Sequence, residues 1–181
     1  MKTYRIIKAA TFLLFAVIVL ILNSFFLEHL SLLVGLAMII LSIEGLVYVL
    51  FIRKEYEYTK ISHNVLCLLL GIVTLFLNKE ANFVTVCAIW AVWSIIREEW
   101  ELSEEVFNKN ANKVLAALSL VESAVVIVFS ILMIINSTHH HAHVHIYLLS
   151  IEFFMVSFII VAEDILDVLT ENKKEKLKNN D

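Results

Sequence analysis

Five of the seven histidines of this chain lie within residues 139–145. They are His139, His140, His141, His143 and His145. Neutral imidazole is a common ligand for Zn, Ni and Cu. In a helix, His139 with His143 and His141 with His145 have the i,i+4 spacing that puts two ligands on one metal. In an extended segment, alternate histidines would share a face instead. This segment is therefore a candidate site for a divalent transition metal.

Two other interpretations of the histidine segment stay open. Imidazole gains a proton in mildly acidic solution, so external acid would turn a nearly neutral loop positive and make it a pH-responsive surface. Alternatively, the segment is a solvated low-complexity tract whose metal affinity is incidental. No other motif in the sequence indicates a cofactor.

Three carboxylates interrupt otherwise apolar segments: Glu44, Glu122 and Glu152. Ionisable groups are costly to bury in a membrane and are typical of ion and proton pathways. The apolar segments contain no lysine or arginine, so we expect no basic side chain to neutralise these acids there. The sequence leaves three interpretations open: a proton or cation pathway, hydrogen-bonded clamps between helices, or buried acids that stay protonated.

The elements that carry these residues have the composition of a membrane protein. Hydrophobic residues make up 60% of the 181 residues and charged residues 18%, whereas soluble domains have about half and about a quarter. Six apolar runs predict six membrane-spanning helices. They cover residues 9–27, 30–52, 61–77, 83–96, 114–135 and 146–162.

The fourth run is the shortest of the six. We expect its helix to continue to Trp100, with the Arg97 side chain reaching back to the membrane surface. Trp90, Trp93 and Trp100 on this helix are expected to be lipid or interface anchors.

The basic residues predict the orientation. Of the 14 lysines and arginines, all except Lys79 lie at the two termini or in the connections after the second and fourth runs. Positive charge is retained in the cytoplasm, so both termini are predicted to lie there, in a multi-pass protein of the inner (plasma) membrane.

A repeat relates the three pairs of runs. The first helix of each pair is expected to end on an apolar stretch closed by an asparagine: Asn23, Asn78 or Asn136. The repeat predicts one all-α transmembrane domain, residues 1–170, built from three helical hairpins, and a charged cytoplasmic tail, residues 171–181. The hairpins cover residues 9–52, 61–100 and 113–166.

The second helix of each hairpin carries two small residues seven positions apart, on one helix face. The pairs are Gly35 and Ser42, Cys87 and Ser94, and Ser150 and Ser157. Small side chains let helices approach closely in lipid, so these positions are predicted to pack the second, fourth and sixth spans as an inner layer. The alternative interpretation is a polar-lined pore.

Six spans in three hairpins, with this small-residue spacing in residues 34–43 and 86–95, resemble the HdeD-type acid-resistance membrane proteins. In that family the small positions are usually glycine, and here Gly35 alone keeps that pattern. The resemblance implies a small bacterial inner-membrane protein linked to acid or envelope stress, and it carries no catalytic residues.

Two functions are therefore expected. The first is a non-enzymatic stress-linked membrane protein that acts by packing, by forming homo-oligomers or by binding a membrane partner. The second is a small proton or cation channel or transporter that uses the intramembrane glutamates. Lipid is the expected surrounding in both cases, and no nucleic-acid partner is expected.

Overall fold

The computed structural model of the protein describes residues 2–53, 58–77, 83–106, 113–135 and 141–178. These residues are almost entirely helical, and no strand occurs among them. The helices are α1 (Lys2–Ile21), α2 (Asn23–Phe26), α3 (Leu30–Val47), α4 (Tyr58–Leu75), α5 (Phe83–Val106), α6 (Lys113–Ile134) and α7 (Ala142–Lys178). A π-helical turn, Tyr48–Arg53, extends α3. Because α7 continues to Lys178, residues 171–178 of the predicted tail are helical.

Five of the described helices are long and apolar enough to cross a membrane. Their spans are Tyr4–Ile21, Leu30–Ile52, Tyr58–Leu75, Ala116–Ile134 and Ala142–Thr170. Helix α5 is outside this group because Arg97, Glu98 and Glu99 interrupt its apolar stretch. The prediction of an all-helical chain is confirmed for the described residues, and the five apolar helices support a membrane-embedded protein, whereas a sixth span is not confirmed.

Contact between the described helices does not follow the predicted hairpins. Helix α1 packs along α7, α3 along α4, and α5 along α6, while α6 also packs along α7. The first predicted hairpin pairs α1 with α3 and the second pairs α4 with α5, and both pairs touch only slightly. The third pairs α6 with α7, which are true neighbours. The packing therefore does not confirm the three-hairpin repeat.

Glycines set the contact between α3 and α4. A Cβ atom added to Gly35 would lie 2.9 Å from the carbonyl oxygen of Gly71, and one added to Gly71 would lie 3.1 Å from that of Gly35. The two backbones therefore touch without an intervening side chain, which is the close approach that small residues allow in lipid. Gly35 thus packs against the third predicted span rather than the fourth or sixth.

Serines set the contact between α1 and α7. The Ser150 hydroxyl donates to the carbonyl oxygen of Ala16 at 3.0 Å, and the Ser157 hydroxyl donates to that of Ala9 at 2.8 Å. Residue numbers fall along α1 as they rise along α7, so the two helices are antiparallel. These bonds join the first and last long helices and close the bundle.

An aromatic cluster fills the centre of the bundle, where α1, α5 and α7 meet. The ring centroid of Phe153 lies 5.8 Å from that of Phe12, 5.6 Å from that of Phe15 and 5.2 Å from that of Trp90. Trp90 is 0% exposed and Trp93 is also buried. The prediction that these two tryptophans are lipid or interface anchors is therefore wrong, because their rings pack inside the bundle. The side chain of Trp100 is not among those that the structure describes.

Candidate functional site: a buried carboxylate cluster

Glu152 lies on α7 beside the aromatic cluster and is 1% exposed. The indole N–H of Trp90 donates to its Oε2 atom at 2.9 Å, and the hydroxyl of Ser94 donates to Oε1 at 3.4 Å. Trp90 and Ser94 are one helical turn apart on α5, so they present both donors on one face. The apolar interior thus holds a carboxylate that two hydrogen-bond donors satisfy.

Arg97 lies on α5 one turn from Ser94, and it is buried. Its Nε atom donates to Oε1 of Glu98 at 3.1 Å and its Nη2 atom donates to the same oxygen at 2.5 Å. Its guanidinium carbon lies 5.1 Å from the ring centroid of Phe12 and 5.0 Å from that of Trp93. The prediction that Arg97 reaches the membrane surface is wrong, because a carboxylate and two ring faces satisfy the cation inside the bundle.

The Arg97 and Glu98 side chains lie within electrostatic reach of the Glu152 carboxylate. The expectation that no basic side chain is present near the intramembrane acids is therefore also wrong. The cluster sets two carboxylates around one guanidinium. A proton or a small cation bound to it would bring this trio to neutrality, which a low-dielectric interior favours.

Helix α6 adds a row of buried polar side chains opposite α7. Ser119 donates to Oε1 of Glu163 at 3.1 Å, and both residues are buried. Ser130 is 0% exposed, and its hydroxyl oxygen has no hydrogen-bond partner among the described residues. The row consists of Ser119, Glu122, Ser123 and Ser130. Because α6 and α7 pack together, this row faces the seam between them.

The structure separates the three acids that the sequence grouped. Glu152 contacts α5, while Glu122 lies buried on α6. Glu44 on α3 is only partly buried, and one of its carboxylate oxygens accepts a hydrogen bond from the hydroxyl of Thr11 on α1. Glu44 thus forms a clamp between α1 and α3, which matches the alternative interpretation of this residue.

The six small residues singled out in the sequence are all buried, but they meet different neighbours. Gly35 meets α4, Ser94 meets Glu152, and Ser150 and Ser157 meet α1. The remaining two are Ser42 and Cys87, and the Ser42 hydroxyl has no hydrogen-bond partner in the described part of the chain. These six positions share a small side chain and not a common packing partner.

The described histidines do not lie together as one solvated tract. His145 is buried, and its ring nitrogens lie 3.0 Å from the carbonyl oxygen of His141 and 3.2 Å from that of Ile135. Nδ1 of the exposed His143 lies 3.3 Å from Oδ1 of Asn23. His145 therefore joins the end of α6 to the start of α7, and His143 joins α7 to α2.

His139 and His140 lie outside the described residues. Within the described ranges, no group of three or more histidine, cysteine, aspartate or glutamate side chains is placed to hold a metal ion. The metal site predicted for this segment stays a prediction. Asn78 and Asn136 also lie outside the described residues.

Sequence reasoning found Glu152 but missed its partners Trp90, Arg97 and Glu98. A signal was present, because Trp90, Ser94 and Glu98 recur every four residues on one face of α5. Comparisons of the chain with protein-family models, with curated protein sequences and with solved structures gave no match.

Proposed function

We propose that this chain is a non-enzymatic membrane protein that binds protons at Glu152 and passes them through its helical bundle. The observation that carries the proposal is the Glu152 carboxylate, which lies 1% exposed inside the bundle and is bonded by Trp90 and Ser94. An ionisable side chain at such a position is costly to bury and is typical of proton relays in membrane proteins.

The chemistry of the partners favours a proton over a metal cation. Hard cations require several oxygen lone pairs, whereas the indole of Trp90 is a donor only. A carboxyl group instead takes up a proton without any rearrangement of the bonds that Trp90 and Ser94 donate. The adjacent Arg97–Glu98 pair supplies a fixed dipole beside the proton-binding group.

We propose the finer topology with this function: six spans, with α5 as the sixth, and both termini in the cytoplasm. The charged groups that exclude α5 from the apolar helices include Arg97 and Glu98, which pair with each other in the interior. A paired and hydrogen-bonded ion pair is tolerated where single charges are not. The distribution of basic residues supports the orientation.

The cellular setting that we propose is the bacterial inner membrane under acid or envelope stress. It rests on the sequence resemblance to the HdeD-type proteins. Large apolar side chains lie exposed along α1 and α4, with Leu14, Ile21, Leu66 and Val73 among the most exposed, and this pattern supports contact with lipid.

Proton flux into proteoliposomes tests the proposal. The full-length chain is reconstituted with a pH-sensitive dye inside, and an imposed pH gradient drives protons inward. Glu152→Gln keeps an acceptor for the Trp90 N–H but cannot carry a proton, so we expect flux to fall by about tenfold or more. Glu28→Gln, at an exposed position between α2 and α3, is the matched control and should keep wild-type flux.

Two outcomes would contradict the proposal. One is wild-type flux that equals the leak of empty liposomes. The other is flux that survives Glu152→Gln in correctly folded protein, as judged by gel filtration and helical circular dichroism.

A further inference from the structure

Three helices define the inner half of the bundle below Glu152, and their register can be read from two contacts. Helices α5 and α7 are fixed at one level by the bond from Trp90 to Glu152. Helices α6 and α7 are fixed at another level by the bond from Ser119 to Glu163. The remaining polar residues can be placed relative to these two levels by counting along each helix.

Counting inward along α5 and α7 gives the first step. Ser94 bonds Glu152, and Glu98 lies one turn further along α5. Counted from Trp90, the Glu98 position reaches the level of Ile160, and counted from Ser94 it reaches that of Val156, so Glu98 lies about 6–12 Å inward of Glu152. Glu98 is buried as deeply as the other acids.

Counting outward along α6 gives the second step. Glu122 lies three residues after Ser119 on α6, and Ile160 lies three residues before Glu163 on the antiparallel helix α7. Glu122 therefore lies at the level of Ile160. Helices α5 and α6 pack together, so Glu98 and Glu122 lie on neighbouring helices within about one helical turn of each other in height. Helix α7 offers only isoleucine there, and its two neighbours supply the polar groups.

The third step reaches the inner end of the seam. Glu163 lies one turn inward of Glu122's level, about 5 Å along the axis. One turn beyond it, Asp167 forms an ion pair with Arg5 at 3.8 Å, with side chains 30% and 21% exposed respectively. Buried carboxylates thus recur from the middle of the bundle to the level of Asp167, which is partly exposed.

An observation outside these acids also points to a hydrogen-bonding occupant of the seam. Ser130 lies eleven residues after Ser119 on α6, and Glu152 lies eleven residues before Glu163 on α7. The two residues therefore share one level, about 16 Å outward of the Ser119–Glu163 contact. The Ser130 hydroxyl is fully buried and lacks a partner among the described residues. A buried hydroxyl without a partner is costly, and a water or hydronium in the seam would satisfy it.

We propose that the seam between α5, α6 and α7 is the inner half of a proton path, and that Glu163 is its exit residue. This inference rests on the proposed function of Glu152. A proton leaves the Glu152 carboxyl group, passes through water in the seam to the Glu122 carboxylate, and from there to Glu163, while the Arg97–Glu98 ion pair stays intact beside the path. Water at the level of Asp167 then accepts it, and each carboxylate returns to its starting state.

The test must separate a relay residue from one that only joins two helices. Glu163→Gln keeps an oxygen that accepts the Ser119 hydroxyl but cannot carry a proton, so we expect inward flux to fall by about tenfold or more. Ser119→Ala removes the same hydrogen bond and leaves the carboxylate, so it should keep most of the flux. Glu163→Asp keeps a carboxylate and should keep part of the flux that Glu163→Gln loses. Asp167→Asn, one turn beyond the exit residue, should change the flux little.

A second readout keeps the two proposals distinguishable. The infrared C=O band of the Glu152 carboxyl group is identified by its loss in Glu152→Gln. In Glu163→Gln this band should still respond to external acid, because access to Glu152 from outside is unaffected. Loss of flux in Glu152→Gln but not in Glu163→Gln would overturn the inner path alone. Equal loss in Ser119→Ala and Glu163→Gln would reduce Glu163 to a packing residue, and absence of wild-type flux would overturn the proposed function itself.

Discussion

Two pairs of helices in this protein make contact by opposite means. Helices α3 and α4 meet through Gly35 and Gly71, where backbone touches backbone. Helices α5 and α7 meet through long side chains, since Trp90 of α5 bonds Glu152 of α7. The first contact can do little but pack. The second places a titratable group in the interior, so the difference indicates which part of the bundle has the capacity for chemistry.

The two contacts also differ in what a single substitution should cost. Beside the α5–α7 contact, removal of one charge of the Arg97–Glu98 pair leaves the other buried and unpaired, which costs several kcal/mol. In the glycine contact, one added methyl group forces the helices apart and costs less, about 1–3 kcal/mol. Unfolding free energies in mixed micelles can therefore rank the contacts.

The largest expected effect is at Arg97. Arg97→Ala leaves the Glu98 carboxylate without its buried partner and removes the ring contacts with Phe12 and Trp93. We expect the free energy of unfolding to fall by about 3–5 kcal/mol. Reversible unfolding in detergent, followed by tryptophan fluorescence and circular dichroism, measures it.

The double variant Arg97→Met, Glu98→Leu is the control for Arg97→Ala. It removes both charges and keeps apolar volume, so it should recover most of the lost stability. If the double variant is as unstable as Arg97→Ala, packing rather than the unpaired charge is responsible.

A smaller effect is expected at the glycine contact. Gly35→Ala places a Cβ atom 2.8 Å from the Leu75 side chain and 2.9 Å from the Gly71 carbonyl oxygen. Backbone cannot yield as a flexible side chain does, so we expect a loss of about 1–3 kcal/mol in the same assay. Leu36→Ala, at the next position and exposed, should have little effect. Wild-type stability of Gly35→Ala would mean that α3 and α4 separate at no cost.

The sequence predicts the class of fold well, but it predicts poorly which helices contact each other. Apolar runs predict membrane helices because lipid requires every backbone group to be bonded within its own helix. Nothing in a hydropathy pattern records which helices touch, so the hairpin repeat suggested neighbours that the packing does not show. The contact of α1 with α7 joins the two ends of the chain through serine hydroxyls and backbone carbonyls.

The same reasoning explains what was missed at the site. Glu152 stands out in the sequence because its neighbours are apolar. Arg97 and Glu98 stand at the end of an apolar run, where charges are ordinarily solvated, and only the tertiary structure shows that they pair inside. The sequence favours lipid for Trp90 because tryptophans are common at membrane surfaces, whereas its bond to Glu152 depends on a helix far along the chain.

The smallest expected effect is at the serine that joins α7 to α1. Ser157→Ala removes the 2.8 Å bond to the carbonyl oxygen of Ala9, but that oxygen belongs to a helical residue and keeps its place in the backbone ladder. Interhelical hydrogen bonds of this kind contribute about 0.6 kcal/mol on average in membrane proteins, and we expect a loss of that size. Ser24→Ala, at an exposed position on α2, is the control and should match wild type. A loss at Ser157 as large as that for Arg97→Ala would mean that the closure of the bundle by α1 and α7, rather than the charged seam, dominates its stability.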